Sequence, residues 1–175
     1  RQRSGIKTVS IVGYTNAGKS TLFNRLCNRA HFSGANQVEA DSRMFQTLDT
    51  TTRKIKLPSG MEVLITDTVG FIQQLPHHLV AAFRSTLQEA TNADLILHVV
   101  DRSDPLYMDK LAVGVEVLEE LGANREDMIL VFNKMDNLDD TNDLEDDREI
   151  PAKVSARTGQ GVNKLLEVIE HKISM

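Results

Sequence analysis

Gly13-Tyr14-Thr15-Asn16-Ala17-Gly18-Lys19-Ser20 (GYTNAGKS) lies between Lys7 to Val12 (KTVSIV), a β-branched run, and Lys19 to Arg29 (KSTLFNRLCNR). In the second flank Leu22, Phe23 and Leu26 recur at the spacing of a helix with one buried face. The stretch fits G-x-x-x-x-G-K-S, and strand, tight turn and helix are the frame in which that pattern grips phosphate. Its glycines let the backbone turn so that N–H groups converge on anionic oxygens, and the helix N-terminus adds positive potential. Lys19 would reach the terminal phosphates, and the Ser20 hydroxyl would ligate Mg2+. Gly13 through Ser20, with Thr21 behind them, are the candidate phosphate-binding residues.

Outward from this turn, strands and helices alternate. Arg53 to Leu57 and Glu62 to Thr66 read as strands joined by Pro58-Ser59-Gly60, a hairpin signal. His77 to Ala90 reads as a helix, with Pro76 at its start. Asp94 to Val100 and Met128 to Phe132 are apolar runs typical of strands covered on both faces. A helix from Met108 to Leu121, ended by Gly122, lies between them. Ala152 to Ser155 reads as a last short strand, and Val162 to Ile173 as a last amphipathic helix. The pattern predicts an α/β fold: a mostly parallel six-stranded sheet, one antiparallel edge strand, and helices on both faces. Ligands of such sheets bind at the carboxyl ends of the strands. Ala30 to Thr52 has no clear period and is the longest irregular stretch, a length that marks function or mobility.

The 175 residues suit one domain with a single core. A hydrophobic content of 41% and a charged content of 26% are those of an ordinary soluble protein. No apolar run approaches the roughly 18 residues of a membrane-spanning helix, and no secretory leader pattern precedes Lys7. The lone Cys27 can form no internal disulfide, which fits a reducing cytosol, and a cytoplasmic location is expected. The opening at Arg1 rather than Met reads as a piece of a longer protein, with flanking regions beyond residues 1–175. Asp136 to Glu149 holds eight acidic residues against one basic and so carries −7; the net charge being −5, the remainder is +2. That run reads as a solvated connection.

Two further motifs follow predicted strands. Asp67-Thr68-Val69-Gly70 places a carboxylate where it can hold Mg2+ through water, and a glycine whose N–H can meet a γ-phosphate and swing when that phosphate leaves. Asn133-Lys134-Met135-Asp136 fits N-K-x-D. A carboxylate at Asp136 can accept both the N1–H and the exocyclic N2–H2 of guanine, and adenine offers neither donor. Asn133 can tie this loop to the phosphate loop, and the Lys134 stem can lie over the base plane. Ser155-Ala156, next to Arg157, would turn a backbone N–H toward guanine O6. GTP and GDP are the expected ligands.

Together these motifs resemble the translation-factor-related GTPases over nearly the whole chain. The closer resemblance is to the HflX family, on Gly13 to Leu26 (GYTNAGKSTLFNRL), Thr47 to Arg53 (TLDTTTR) and Asp67 to Glu89 (DTVGFIQQLPHHLVAAFRSTLQE). The family pattern has proline after TLD, where this chain has Thr50. The resemblance implies a P-loop G domain. It also implies that Thr47 is the switch threonine, ligating Mg2+ with Ser20 and Asp67, and that Phe45, Gln46, Leu48 and Asp49 line the nucleotide beside it. Thr50, Thr51 and Thr52 offer rival hydroxyls. Lys19, Thr47, Gly70 and Asn16 are the candidate catalytic residues.

Hydrolysis needs a water held in line with the γ-phosphate. Many GTPases place a glutamine directly after the D-x-x-G glycine for that purpose; here the residue is Phe71, which cannot hydrogen-bond a water. Gln73 and Gln74 lie two and three positions farther along. Slow intrinsic turnover is expected, with a partner or cation supplying what is missing. Asn16 resembles the asparagine of cation-assisted GTPases and is a candidate K+ ligand. The resemblance points to the ribosome, chiefly its large subunit, as partner, engaged through rRNA by the full-length protein; a monomer is expected. Arg53, Lys54 and Arg84 are candidate surface contacts. His77 and His78 read as helix-start residues, and His98 as a core histidine. Two other readings compete: a tRNA-modification or ribosome-assembly GTPase, and a module that holds GTP with little turnover.

Overall fold

Lys7–Gly13 forms the strand β1, with Val9, Ile11 and Val12 fully buried. The computed structural model describes residues 5–29, 51–68, 70, 84–85, 87–138 and 152–175. After β1 come α1 (Lys19–Arg29), β2 (Thr51–Lys56), β3 (Glu62–Asp67), β4 (Leu95–Asp101), α2 (Tyr107–Glu120), β5 (Met128–Asn133), β6 (Ala152–Lys153) and α3 (Val162–Ile173). Helical backbone also occurs at 84–85 and 87–91, the end of the helix expected from His77; its start lies outside the described residues.

The six strands lie in the order β2-β3-β1-β4-β5-β6, all parallel except β2, which runs antiparallel to β3 at one edge. The chain passes from β3 on one side of β1 to β4 on the other. That reversal opens a crevice beyond the carboxyl end of β1, where such folds seat ligands.

Alternation along the strands sorts the core to two faces. Val9 and Ile11 of β1 and Leu95, Leu97 and Val99 of β4 pack with Leu22, Phe23 and Leu26 of α1 and with Val162, Leu165, Leu166 and Ile169 of α3. Val12 and Ile96 face the other way, onto Leu87, Ala90 and Leu118. Helices therefore cover both faces, as the apolar runs of β1 and β4 require.

The ends of α2 and of the hairpin follow local chemistry. Ala123 N–H bonds the Leu118 carbonyl and Gly122 N–H the Glu119 carbonyl, each at 3.0 Å, and Gly122 takes φ 98°. This is the left-handed glycine cap that satisfies the last carbonyls of a helix. In the hairpin, Gly60 N–H bonds the Leu57 carbonyl at 2.8 Å around Pro58 and Ser59. β2 starts at Thr51, two residues earlier than expected, with Thr51 opposite Asp67 and Thr52 opposite Thr66. The hydroxyls of Thr52 and Thr66 bond each other at 2.9 Å. Thr52 is thus part of the ladder, as a rung of the edge hairpin. β6 is shorter than expected, because Ser155 N–H turns to the Gln160 carbonyl at 2.9 Å.

Candidate functional site

The phosphate loop is shaped by close approach. A Cβ on Gly13 would lie 2.3 Å from the Val99 carbonyl oxygen, and one on Gly18 (φ 88°) would lie 2.4 Å from Asn133 Nδ2. Neither position admits a side chain while the loop lies against β4 and the N-K-x-D strand. Ala17 N–H closes the turn on the Tyr14 carbonyl at 3.1 Å. Lys19, the first residue of α1, is buried, and its ammonium donates to that same carbonyl at 3.1 Å. Burial pulls the Lys19 ammonium down to about 8, against the opposing attraction of the Asp67 carboxylate.

Asp67 ends β3 and is fully buried. Its Oδ2 accepts the Ser20 hydroxyl at 2.8 Å, while Oδ1 has no hydrogen-bond partner among the described residues. Burial raises the Asp67 carboxyl above the usual carboxylate range; the Ser20 hydrogen bond, the Lys19 charge and the Thr68 amide oppose that rise. A buried carboxylate oxygen without a donor, beside a serine hydroxyl and at the mouth of a phosphate loop, suits a hard divalent cation that takes oxygen ligands and keeps several waters. Among the described residues no three His, Cys, Asp or Glu side chains converge. Such a cation would therefore depend on hydroxyl, phosphate and water oxygens for its remaining ligands.

Thr68 fixes the corner after Asp67, its hydroxyl donating to the Ile11 carbonyl at 2.6 Å and its N–H to the same oxygen at 3.3 Å. Gly70 then presses on the phosphate loop. A Cβ there would lie 2.7 Å from Thr15 N and Cα and 2.9 Å from Lys19 Nζ.

The N-K-x-D loop joins this assembly through Asn133. Its Nδ2 donates to the Ala17 carbonyl at 2.9 Å, and its Oδ1 accepts the Ala156 N–H at 2.9 Å. One buried side chain thus ties three loops. Lys134 takes φ 62°, unusual without glycine. Its ammonium reaches the Asn16 carbonyl at 2.7 Å and pairs with Asp101 at 3.3 Å. Asp136 Oδ1 accepts the Ser155 hydroxyl at 2.7 Å, and Oδ2 accepts Arg157 Nε at 3.0 Å and Nη2 at 2.9 Å. The Ser155 hydrogen bond first, and then the Arg157 charge and hydrogen bond, outweigh desolvation and hold the Asp136 carboxyl below its ordinary value.

The structure therefore brings together residues 13–20, Asp67, Thr68, Gly70, Asn133, Lys134, Asp136, Ser155, Ala156 and Arg157. Two details differ from the sequence reading. The Ser155 and Ala156 N–H groups are both engaged within the protein, so a base oxygen at this loop would share the Ala156 donor with Asn133. The Lys134 ammonium crosses to the phosphate loop, a tie the sequence did not suggest. Phe45, Gln46, Thr47, Leu48, Asp49, Thr50, Val69, Phe71, Gln73, Gln74, His77, His78 and the acidic run beyond 138 lie outside the described residues. Arg84 is exposed. His98 is buried in β4, and burial lowers its imidazole to about 4. Asp101 and Arg25 were not singled out in the sequence. Only their places, at a strand end and in the helix after the phosphate loop, hinted at them.

Residues 8–134 match a family model described as 50S ribosome-binding GTPase. The chain is 46% identical over 173 residues to the GTPase HflX of Lacrimispora saccharolytica, covering 97% of this chain and 39% of that protein. It is 42% identical over 178 residues to the GTPase HflX of Escherichia coli, covering 99% of this chain and 40% of that protein. The chain thus spans about two-fifths of the curated relatives it matches. A crystal structure of a GTP-binding protein from Sulfolobus solfataricus in complex with GDP superposes with a TM-score of 0.71 at 23% identity, over 96% of this chain and 52% of that one. This last likeness concerns the fold. Among the described residues no helix is long and apolar enough to cross a membrane.

Proposed function

Since the chain belongs to the 50S ribosome-binding GTPase family and is an HflX-type G domain, we propose that it binds GTP and GDP and hydrolyses GTP as a switch. The observation that carries this is Asn133, which links the Ala17 carbonyl, 116 residues away, to the Ala156 amide, 23 residues away. Two motifs with separate chemistries, one for phosphate and one for a purine, become one site.

In this reading the Asp136 carboxylate, held ionised, accepts the N1–H and N2–H2 of guanine once Arg157 yields, while Ser155 keeps its bond to Oδ1, since each carboxylate oxygen can accept two hydrogen bonds. Adenine would leave the carboxylate without either donor, a difference of two hydrogen bonds to a charged group. The amides of residues 13–18 and the Lys19 ammonium receive the phosphates. Ser20 and Asp67 would hold Mg2+, with Thr47 as a further ligand. The chemistry that ion supplies is neutralisation of the β- and γ-phosphate charge. Gly70, against Thr15 and Lys19, would sense a third phosphate through its N–H. Phe71 offers an attacking water no hydrogen bond, so turnover by the chain alone is slow and a partner raises it. That partner is the large ribosomal subunit, reached by a longer protein of which this chain is the G domain. A K+ ion near Asn16 is a second source of assistance.

Calorimetry with GDP and ADP, and multiple-turnover GTP assays with and without 50S subunits in KCl and in NaCl, test the proposal, with Lys19→Ala as the control. Equal GDP and ADP affinities would end the guanine reading. Absence of turnover in every condition would leave a GTP-holding module, and equal rates in the two salts would remove K+.

A further inference from the structure

Arg25, in the middle of α1, reaches onto the loop that follows β6. Its Nε–H donates to the Ala156 carbonyl at 3.0 Å, and its Nη2 donates to the Arg157 carbonyl at 2.5 Å. One planar guanidinium, with donors in a fixed fork, thereby holds two successive carbonyls more than a hundred residues away. The loop runs close beneath it. A Cβ on Gly159 would lie 2.8 Å from Arg29 Nη2 and 3.6 Å from Arg25 Nη1.

The loop's other backbone ties are short-range or run through Asn133: Ser155 N–H bonds the Gln160 carbonyl, Gly159 N–H the Ser155 carbonyl, and Ala156 N–H the Asn133 side chain. β6 pairs with β5 at only two positions, Val131 with Ala152 and Phe132 with Lys153. α1 is the firmer body: it starts at Lys19 and Ser20 and buries Leu22, Phe23 and Leu26 in the core. From that body Arg25 sets the height and tilt of 155–157. Those three residues in turn supply the Ser155 hydroxyl and Arg157 guanidinium to Asp136, and the Ala156 N–H to Asn133.

We infer that Arg25 is a positioning residue for base selection. Without touching nucleotide, it keeps the 155–157 loop where the Asp136 carboxylate stays aimed at a guanine edge. The inference rests on the guanine reading above. It predicts a loss of discrimination as well as of affinity. Hypoxanthine lacks the exocyclic N2 amino group and is otherwise guanine, so the ratio of GDP to IDP affinity reports the aim of Asp136. The phosphate grip, common to both nucleotides, cancels in that ratio.

The test measures GDP and IDP affinities, with Mg2+, for the chain and for Arg25→Ala and Arg25→Lys, together with urea unfolding midpoints without nucleotide. Arg25→Ala is expected to bind GDP about tenfold more weakly and IDP within about threefold of the parent, as loss of hydrogen bonding to one loop implies. Arg25→Lys keeps the charge but lacks the fork, and its ratio falls between the two. If Arg25→Ala does not fold, Arg25→Lys decides alone, by a lowered ratio at an unchanged midpoint. An unchanged GDP to IDP ratio, or equal losses for both nucleotides that follow the unfolding midpoint, overturns the inference. A parent chain that binds GDP no better than ADP instead sinks the functional reading, and this inference with it.

Discussion

Arg157 donates through Nε and Nη2 to a single oxygen of Asp136, at 3.0 and 2.9 Å, from a side chain that is 79% exposed. The pair covers the carboxylate that would read the base, yet exposed ion pairs contribute about 1 kcal/mol or less. Displacing Arg157 should therefore cost a nucleotide little. Arg157→Ala is expected to change the GDP dissociation constant by less than about fivefold. Asp136→Ala removes the acceptor of two hydrogen bonds and should weaken GDP by about a hundredfold or more, with ADP unaffected. Titration calorimetry of both variants measures the contrast, and a larger loss in Arg157→Ala would refute it.

Asn133→Ala should destabilise the chain before any ligand is added. The substitution strands a carbonyl at Ala17 and an amide at Ala156 in a buried setting, at about 2–4 kcal/mol for the two groups. Urea unfolding without nucleotide should show a lowered midpoint at unchanged slope, and GDP affinity should fall as well. Retention of the parent midpoint would mean that the three loops do not need this bridge.

Gly70→Ala separates the two halves of the switch. The added Cβ meets Thr15 backbone and Lys19 Nζ, so the loop after Asp67 must lift away from the phosphate turn. GTP turnover at saturation should drop by about tenfold or more, as removal of one transition-state donor does. GDP, which does not extend to that position, should bind within about threefold of the parent. Stopped-flow turnover and GDP titration give the two numbers; a parallel loss of both would contradict the separation.

His98 sets an acid limit on stability. Burial holds its imidazole at about 4, against 6.5 when unfolded. The unfolded chain thus binds a proton that the folded chain refuses between those values. The stabilisation is complete above 6.5 and is lost as pH falls toward 4, on the order of 3 kcal/mol over that interval. Unfolding free energies at pH 7.5 and 4.5 should differ less in His98→Gln than in the parent, and identical slopes would contradict the assignment.

Much of this architecture was legible in the residues. α1 and α3 fall at the boundaries expected, because each carries an uninterrupted apolar stripe starting beside a glycine. The sheet was legible because its buried strands are β-branched runs that stop at motif residues. Their ends were read one residue short: Asp67, Asp101 and Asn133 are each still paired with a neighbouring strand. Pairing is a property of the partner strand, which local composition does not report. The phosphate and base motifs were legible as separate spacings. Their joining by Asn133 was read from its place at the head of the base motif, but the Lys134 bridge to Asn16 and the Arg25 fork were not, since each spans more than a hundred residues and leaves no periodic trace.

The rims of the sheet have a consequence of their own. One is β6, two residues long, and the other is β2, whose outward positions include the lysines Lys54 and Lys56. An edge strand normally invites a second polypeptide to extend the ladder, but among the described residues one edge is too brief to template and the other carries Lys56 and Lys54, the latter paired with Glu62, charged side chains that discourage such pairing. Crowded on a large assembly, such domains would stay separate bodies and not zip into fibres.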